Sequence, residues 1–154
     1  VRFLCDEMLV RLARLLRAAG HDAALAEGGA PDPALVAQAE AEARLLLTRD
    51  RDLAALAGAR GVRLRAEAAD AQAEELSRAV PVDWSAAPFT RCVMDNALLR
   101  EATPEEIARM PRAAQARGGP FRACPACGRL YWPGSHVKRM AAKLERLAGG
   151  ARTF

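Results

Sequence analysis

The chain has 154 residues, 51% of them hydrophobic, and a formal net charge of +4. That is enough for one ordinary domain with a small appendage and a genuine core. No apolar run approaches the roughly 18 residues of a membrane span, and no basic start leads into an apolar stretch. A soluble, cytoplasmic chain with no membrane partner is therefore expected. Charge is unevenly placed: residues 1–90 carry 11 Lys and Arg against 14 Asp and Glu, residues 91–154 carry 12 against 5. A basic back half suits a polyanion. Taken alone, a solvated arginine-rich face explains it as well.

Residues 2–5 read as a short buried strand, followed by an amphipathic helix over 7–19. Met8, Leu12, Leu15, Leu16 and Ala19 share one face of that helix, and Arg11, Arg14 and Arg17 share another. Gly20 is a helix stop. His21 to Leu25 reads as a second strand. Asp32-Pro33 opens a helix with aspartate as N-cap and proline at the first helical position. Arg44 to Thr48 is the clearest strand. A helix over 51–57 stops at Gly58, residues 62–64 form a fourth strand, and Asp70 starts a fourth helix that ends before Pro81. Strands alternating with short helices predict a parallel α/β sheet.

The texture changes at Pro81 to Pro88, which marks a boundary between residues 1–85 and 86–154. Beyond it, Thr103-Pro104-Glu105-Glu106 reads as a capping box. Residues 136–148 read as a final amphipathic helix, and Gly149-Gly150 as a disordered tail.

Asp6, Asp50 and Asp70 each follow a predicted strand and precede a predicted helix. In an open parallel sheet those turns share one edge, where ligands bind. Asp32 and Asp52 are further candidates there. Phosphodiester hydrolysis needs an activated water and a stabilised leaving oxygen, and divalent ions on a few carboxylates supply both. Taken singly, Asp6, Asp32, Asp50 and Asp70 are also good helix N-caps. Clustering them costs like-charge repulsion unless a cation is present.

Of the four cysteines, Cys5 lies in the first strand and reads as a buried small hydrophobe. Cys124-Pro125-Ala126-Cys127-Gly128 is the pattern of a zinc knuckle, two thiolates around a tight turn.

Phe3-Leu4-Cys5-Asp6-Glu7-Met8-Leu9, with Leu12 to Arg17 and Gly20, resembles the opening of the Mut-seven C-terminal RNase family, a branch of the PIN-like nucleases. Leu46 to Leu53 resembles its third-strand motif, and Cys124 to His136 its zinc-ribbon end. The resemblance spans nearly the whole chain, with the motifs in the family's order. It implies an α/β fold: a PIN-like parallel sheet flanked by helices over 1–85, then a zinc-ribbon module with a C-terminal helix over 86–154.

The resemblance also implies a metal-dependent ribonuclease using Mg²⁺ or Mn²⁺. Asp6 and Asp50 match its metal-binding acids, Asp32 the acid opening the helix before the third strand, and Asp52 the second acid of the third-strand motif. Asp70 sits in less distinctive surroundings. Glu40 and Glu42 are held in reserve, because some PIN relatives use a glutamate on that helix. The family's first knuckle is another Cys-x-x-Cys, and the matching segment here is Cys92-Val93-Met94-Asp95. The fourth zinc ligand is therefore Asp95 or His136, or else the ribbon is metal-free.

RNA is the expected partner. Arg129, Lys138 and Arg139 could meet phosphates, and Tyr131 and Trp132 could stack on bases. Phe121 and Trp84 suit a core better. The competing class is a non-catalytic RNA- or ribosome-binding module that keeps the fold. A phospho-acceptor receiver needs a lysine near the end of its sheet, and the first lysine is Lys138. A dinucleotide-binding domain needs a glycine-rich turn where Asp6-Glu7-Met8 stands.

Overall fold

The strands β1 (Arg2–Cys5), β2 (Ala23–Leu25), β3 (Arg44–Thr48) and β4 (Gly61–Arg63) pair in parallel in the computed structural model, which describes residues 1–151. Their order is β2-β1-β3-β4. Side chains alternate between the two faces of a strand. Phe3, Cys5 and Leu47 enter one core with Leu12, Leu16, Leu76 and Trp84. Leu4 and Leu46 enter a second core with Leu35, Ala39 and Leu53. A sheet buried on both faces needs continuous apolar strands, which is why Arg44–Thr48 reads Arg-Leu-Leu-Leu-Thr.

The first core is covered by α1 (Val10–Ala18), α4 (Ala69–Ala79) and α7 (Ser135–Ala151), the second by α2 (Asp32–Ala41) and α3 (Arg51–Ala57). The expected first helix begins instead as a 3-10 turn over Glu7–Leu9. That tighter turn shifts the helical phase. Leu9 enters the core in place of Met8, which is left 71% exposed. Arg17 also departs from expectation. It is buried and donates to the carbonyls of Ala23, Val93 and Met94. Gly20 ends α1 at φ +97°, and a side chain there would run into the Ala87 carbonyl.

Two expected caps are corrected. Pro31 is the N-cap of α2 and Ala68 that of α4, so Asp32 and Asp70 lie inside the first turns. Pro33 still falls at a position where a missing N–H is harmless.

Residues 82–89 pack on the first core. Val82 and Trp84 are buried, Trp84 donates from Nε1 to Ser77 Oγ at 2.7 Å, and Ala87 and Phe89 N–H groups bond to Ala19 and Ala18. A second, antiparallel sheet follows in the order β5 (Arg100–Glu101), β6 (Arg122–Ala123), β7 (Leu130–Tyr131). Two short helices, α5 (Pro104–Ala108) and α6 (Arg112–Arg117), connect β5 to β6. The Thr103–Glu106 capping box is present at α5. The last helix returns to the first core through Leu144, with Met140, Leu147 and Ala148 beside it. It continues through Gly149 and Gly150, where a tail is expected, because packing of Leu147 and Ala148 anchors that turn.

The loop before β5 is tied to the amino end of β2. Asn96 donates to Asp22 and accepts from the Ala23 N–H. Burial works against the Asp22 charge, but hydrogen bonds from Arg44, Asn96 and Arg2 outweigh it and hold the carboxyl far below its ordinary range. Among the described residues no helix is long and apolar enough to cross a membrane.

Candidate active site and metal centre

With the strand order β2-β1-β3-β4, the chain leaves β1 toward one side and β3 continues on the other. The crevice outside the carboxyl ends of β1 and β3 is the topological switch point, where open α/β sheets bind ligands. Asp6 follows β1 and Asp50 follows β3. A cleft of about 600 Å³ opens there, lined by Asp6, Glu7, Glu27, Asp32 and Asp50, with Arg49, Arg63 and Arg65 along it.

The acids are held differently. Asp6 Oδ1 accepts the Glu7 N–H at 2.7 Å, and Oδ2 accepts the Thr48 hydroxyl at 2.8 Å. Thr48, fully buried, accepts in turn from the Asp50 N–H at 3.0 Å. Asp50 Oδ1 caps α3 by accepting from Asp52 and Leu53 N–H groups. No other hydrogen bond or ion pair reaches Asp50 Oδ2 among the described residues, nor either oxygen of Asp32 or Glu27. Glu7 Oε2 accepts the Gly29 N–H at 3.2 Å and so fixes the loop before α2. The cleft thus holds carboxylate oxygens that nothing in the fold consumes. Free carboxylate oxygens are the donor type that hard divalent cations take, although among the described residues only the cysteine cluster brings ligand atoms of three or more such residues within 4.8 Å of one another.

The cysteines form a second centre. One ligand atom each from Cys92, Asp95, Cys124 and Cys127 lie within 4.8 Å of one another. A tetrahedron of about 2.3 Å Zn–S bonds has edges of about 3.8 Å. Cys92 Sγ stands 3.8 Å from Cys127 Sγ, and Cys124 Sγ 3.2 and 3.4 Å from the Asp95 oxygens. Gly128, at φ +76°, completes the knuckle turn, and its N–H bonds to the Cys124 carbonyl at 2.9 Å. Burial pushes the Cys124 thiol up to about 11, the Cys127 N–H opposing this and the Asp95 carboxylate adding to it. A thiolate at that place needs a cation beside it. The four residues therefore fit zinc, with Asp95 in the place of a fourth cysteine. His136 is exposed at the start of α7 and takes no part in the cluster.

The family model described as Mut7-C RNAse domain matches residues 1–144. The chain belongs to the Mut7-C family. No curated protein and no solved structure matches it. Membership implies a ribonuclease-type function, with RNA as the substrate class.

In this Mut7-C chain the sequence-derived site residues separate into groups. Asp6, Asp32 and Asp50 share the cleft. Asp52 stands outside it, with a side chain 84% exposed beside Arg51. Asp70 lies in another groove, 3.3 Å from Lys143 Nζ. Glu40 is exposed on α2, and Glu42 pairs with Arg44 at 2.7 Å. Arg129, Tyr131 and Trp132 line the groove that holds Asp70, whereas Lys138 and Arg139 are exposed on α7 and do not line it. The Tyr131 hydroxyl is engaged, 3.0 Å from Cys92 Sγ and accepting from the Val93 N–H at 3.2 Å. Glu27, Arg63 and Arg65 also line the cleft and belong to none of the sequence motifs. Glu27 was detectable as the first acid after β2 on the same edge.

Proposed function

We propose that the chain is a metal-dependent endoribonuclease that hydrolyses RNA phosphodiester bonds in the acidic cleft. Residues 1–85 supply the catalytic unit, and residues 86–154 supply a zinc-bound ribbon that holds RNA. The observation that carries this reading is the Thr48 bridge. It ties the Asp6 carboxylate to the Asp50 backbone at the switch point, with the unpartnered Asp32 in the same cleft.

Asp6, Asp32 and Asp50 would hold Mg²⁺ or Mn²⁺, with Glu27 as an added carboxylate. The ion, when bound, activates a water and offsets charge on the phosphoryl oxygens. Asp6 is fixed by two donors and Asp50 by its cap, and Asp50 Oδ2 and both Asp32 oxygens are left for the ion. Arg49 and Arg63 line the cleft and would orient the phosphate. Hydrolysis forms one P–O bond from water and breaks the ester P–O bond. The water proton passes to solvent, and the departing ribose oxygen gains one.

The test is RNA cleavage titrated with Mn²⁺, in the wild type and in Asp32→Asn. Asp32 has no structural partner, so its loss should leave the melting temperature alone. Turnover should fall by about a hundredfold or more. Undiminished turnover in the variant, or cleavage insensitive to added metal, would contradict the reading.

A further inference from the structure

A groove of about 820 Å³ runs between α1, the start of α4, β7 and α7. Its apolar floor includes Leu15, Ala18, Val93 and Met140, and Trp132 stands on its wall. Its rim is cationic. Arg11, Arg14 and Arg129 are exposed, and their guanidinium groups make no ion pair or hydrogen bond among the described residues. Lys143 is balanced by Asp70. Three unneutralised cations above an apolar, aromatic trough form an amphipathic surface. A polyanion with flat apolar faces complements it, and single-stranded nucleic acid has that chemistry.

The groove adjoins the acidic cleft. Met8 lines the cleft, and Arg11 lines the groove one turn further along. Leu64 and Arg65 line the cleft, and the chain reaches the groove at Ala68, the cap of α4, and at Asp70 in its first turn. A strand whose scissile phosphate lay in the cleft would meet this trough next. A duplex keeps its bases stacked inside and cannot use the apolar floor.

We propose that this groove binds the single-stranded RNA segment adjoining the cleavage site. Phosphates lie on Arg11, Arg14 and Arg129, and a base stacks on Trp132. The inference deepens the ribonuclease reading and rests on it for the path from cleft to groove. It makes the ribbon one wall of the substrate channel and α1 of the nuclease unit the other.

The experiment measures binding rather than cleavage, so the two readings fail separately. The full chain carrying Asp50→Asn, which keeps RNA intact if the cleft is catalytic, is titrated with a fluorescein-labelled oligouridylate of about ten nucleotides. Anisotropy is followed over a range of salt. Replacing Arg11, Arg14 and Arg129 by glutamine should weaken binding about tenfold. It should also flatten the log–log salt slope by about two, since each single-strand phosphate contact contributes about 0.7. Trp132→Ala should weaken binding about tenfold, and Trp132→Phe should retain most of it. A duplex of the same length should bind less tightly than the single strand. Melting temperatures check that each variant is folded. An unchanged slope in the triple variant overturns the proposal. So does equal binding by Trp132→Ala, or loss of self-association in these variants with RNA affinity intact, which would assign the groove to a second copy of the chain.

Discussion

The Thr48 hydroxyl donates to Asp6 Oδ2 at 2.8 Å, across the seam between the two central strands. The register pairs Cys5 with Leu47, so the next residue on each strand, Asp6 and Thr48, meets at the strand ends. Because Thr48 also accepts the Asp50 N–H, one buried hydroxyl joins the Asp6 carboxylate to the backbone that carries Asp50.

Thr48→Val keeps the shape and removes the hydroxyl. The Asp50 N–H loses its acceptor, which should cost about 1–3 kcal/mol. Asp6 loses a donor and gains rotational freedom, so RNA cleavage should drop by about tenfold or more. Thr48→Ser should retain most of both. Thermal melting and turnover, measured side by side, check this. A Thr48→Val protein with normal turnover would show that the bridge is only structural.

The protein purified without added metal should hold one zinc per chain by elemental analysis, bound by Cys92, Asp95, Cys124 and Cys127. Asp95→Ala should lose zinc faster to a chelator than the wild type, and Asp95→Cys should lose it more slowly, because thiolate binds zinc more firmly than carboxylate. His136→Ala should release zinc at the wild-type rate. A zinc-free protein whose stability ignores Cys124→Ser would contradict the assignment.

Glu106 should titrate far from its ordinary value. A paired hydrogen bond from Arg100, then the Thr103 N–H, hold its carboxyl down at about 2. A depressed pKa adds stability above the unfolded value, about 4.3. That stability is lost as the pH falls from there toward 2. The carboxyl carbon shift of Glu106, followed by NMR from pH 7 downward, should stay that of a carboxylate to below pH 4. A midpoint above 4 would mean that the Arg100 pair does not form in solution.

Much of this was legible in the chain because local signals agreed with the tertiary outcome. Arg44–Thr48 is a strand whose limits coincide with the expected ones, since both faces are buried and the run is apolar. Thr103 and Glu106 cap α5 as their spacing requires. Other placements depend on tertiary geometry. Asp70 follows β4, but β4 is the outer strand and Asp70 lies past the first residue of α4, so it turns toward Lys143 rather than the switch point. Arg17 keeps helical spacing with Arg11 and Arg14, yet the ribbon closes over it and supplies carbonyl acceptors from Val93 and Met94. Glu27 is the first acid after β2, and the strand order β2-β1-β3-β4 brings that turn to the cleft that Asp6 lines.

At Asp50 one substitution separates capping from catalysis. Asparagine caps a helix about as well as aspartate but brings no charge to a cation. Asp50→Asn and the wild type should melt alike. In Mn²⁺ the wild type should cleave a mixed RNA pool, and the variant should leave it intact. Equal cleavage by both would show that Asp50 is a helix cap and nothing more, and that the acidic cleft is not the catalytic centre.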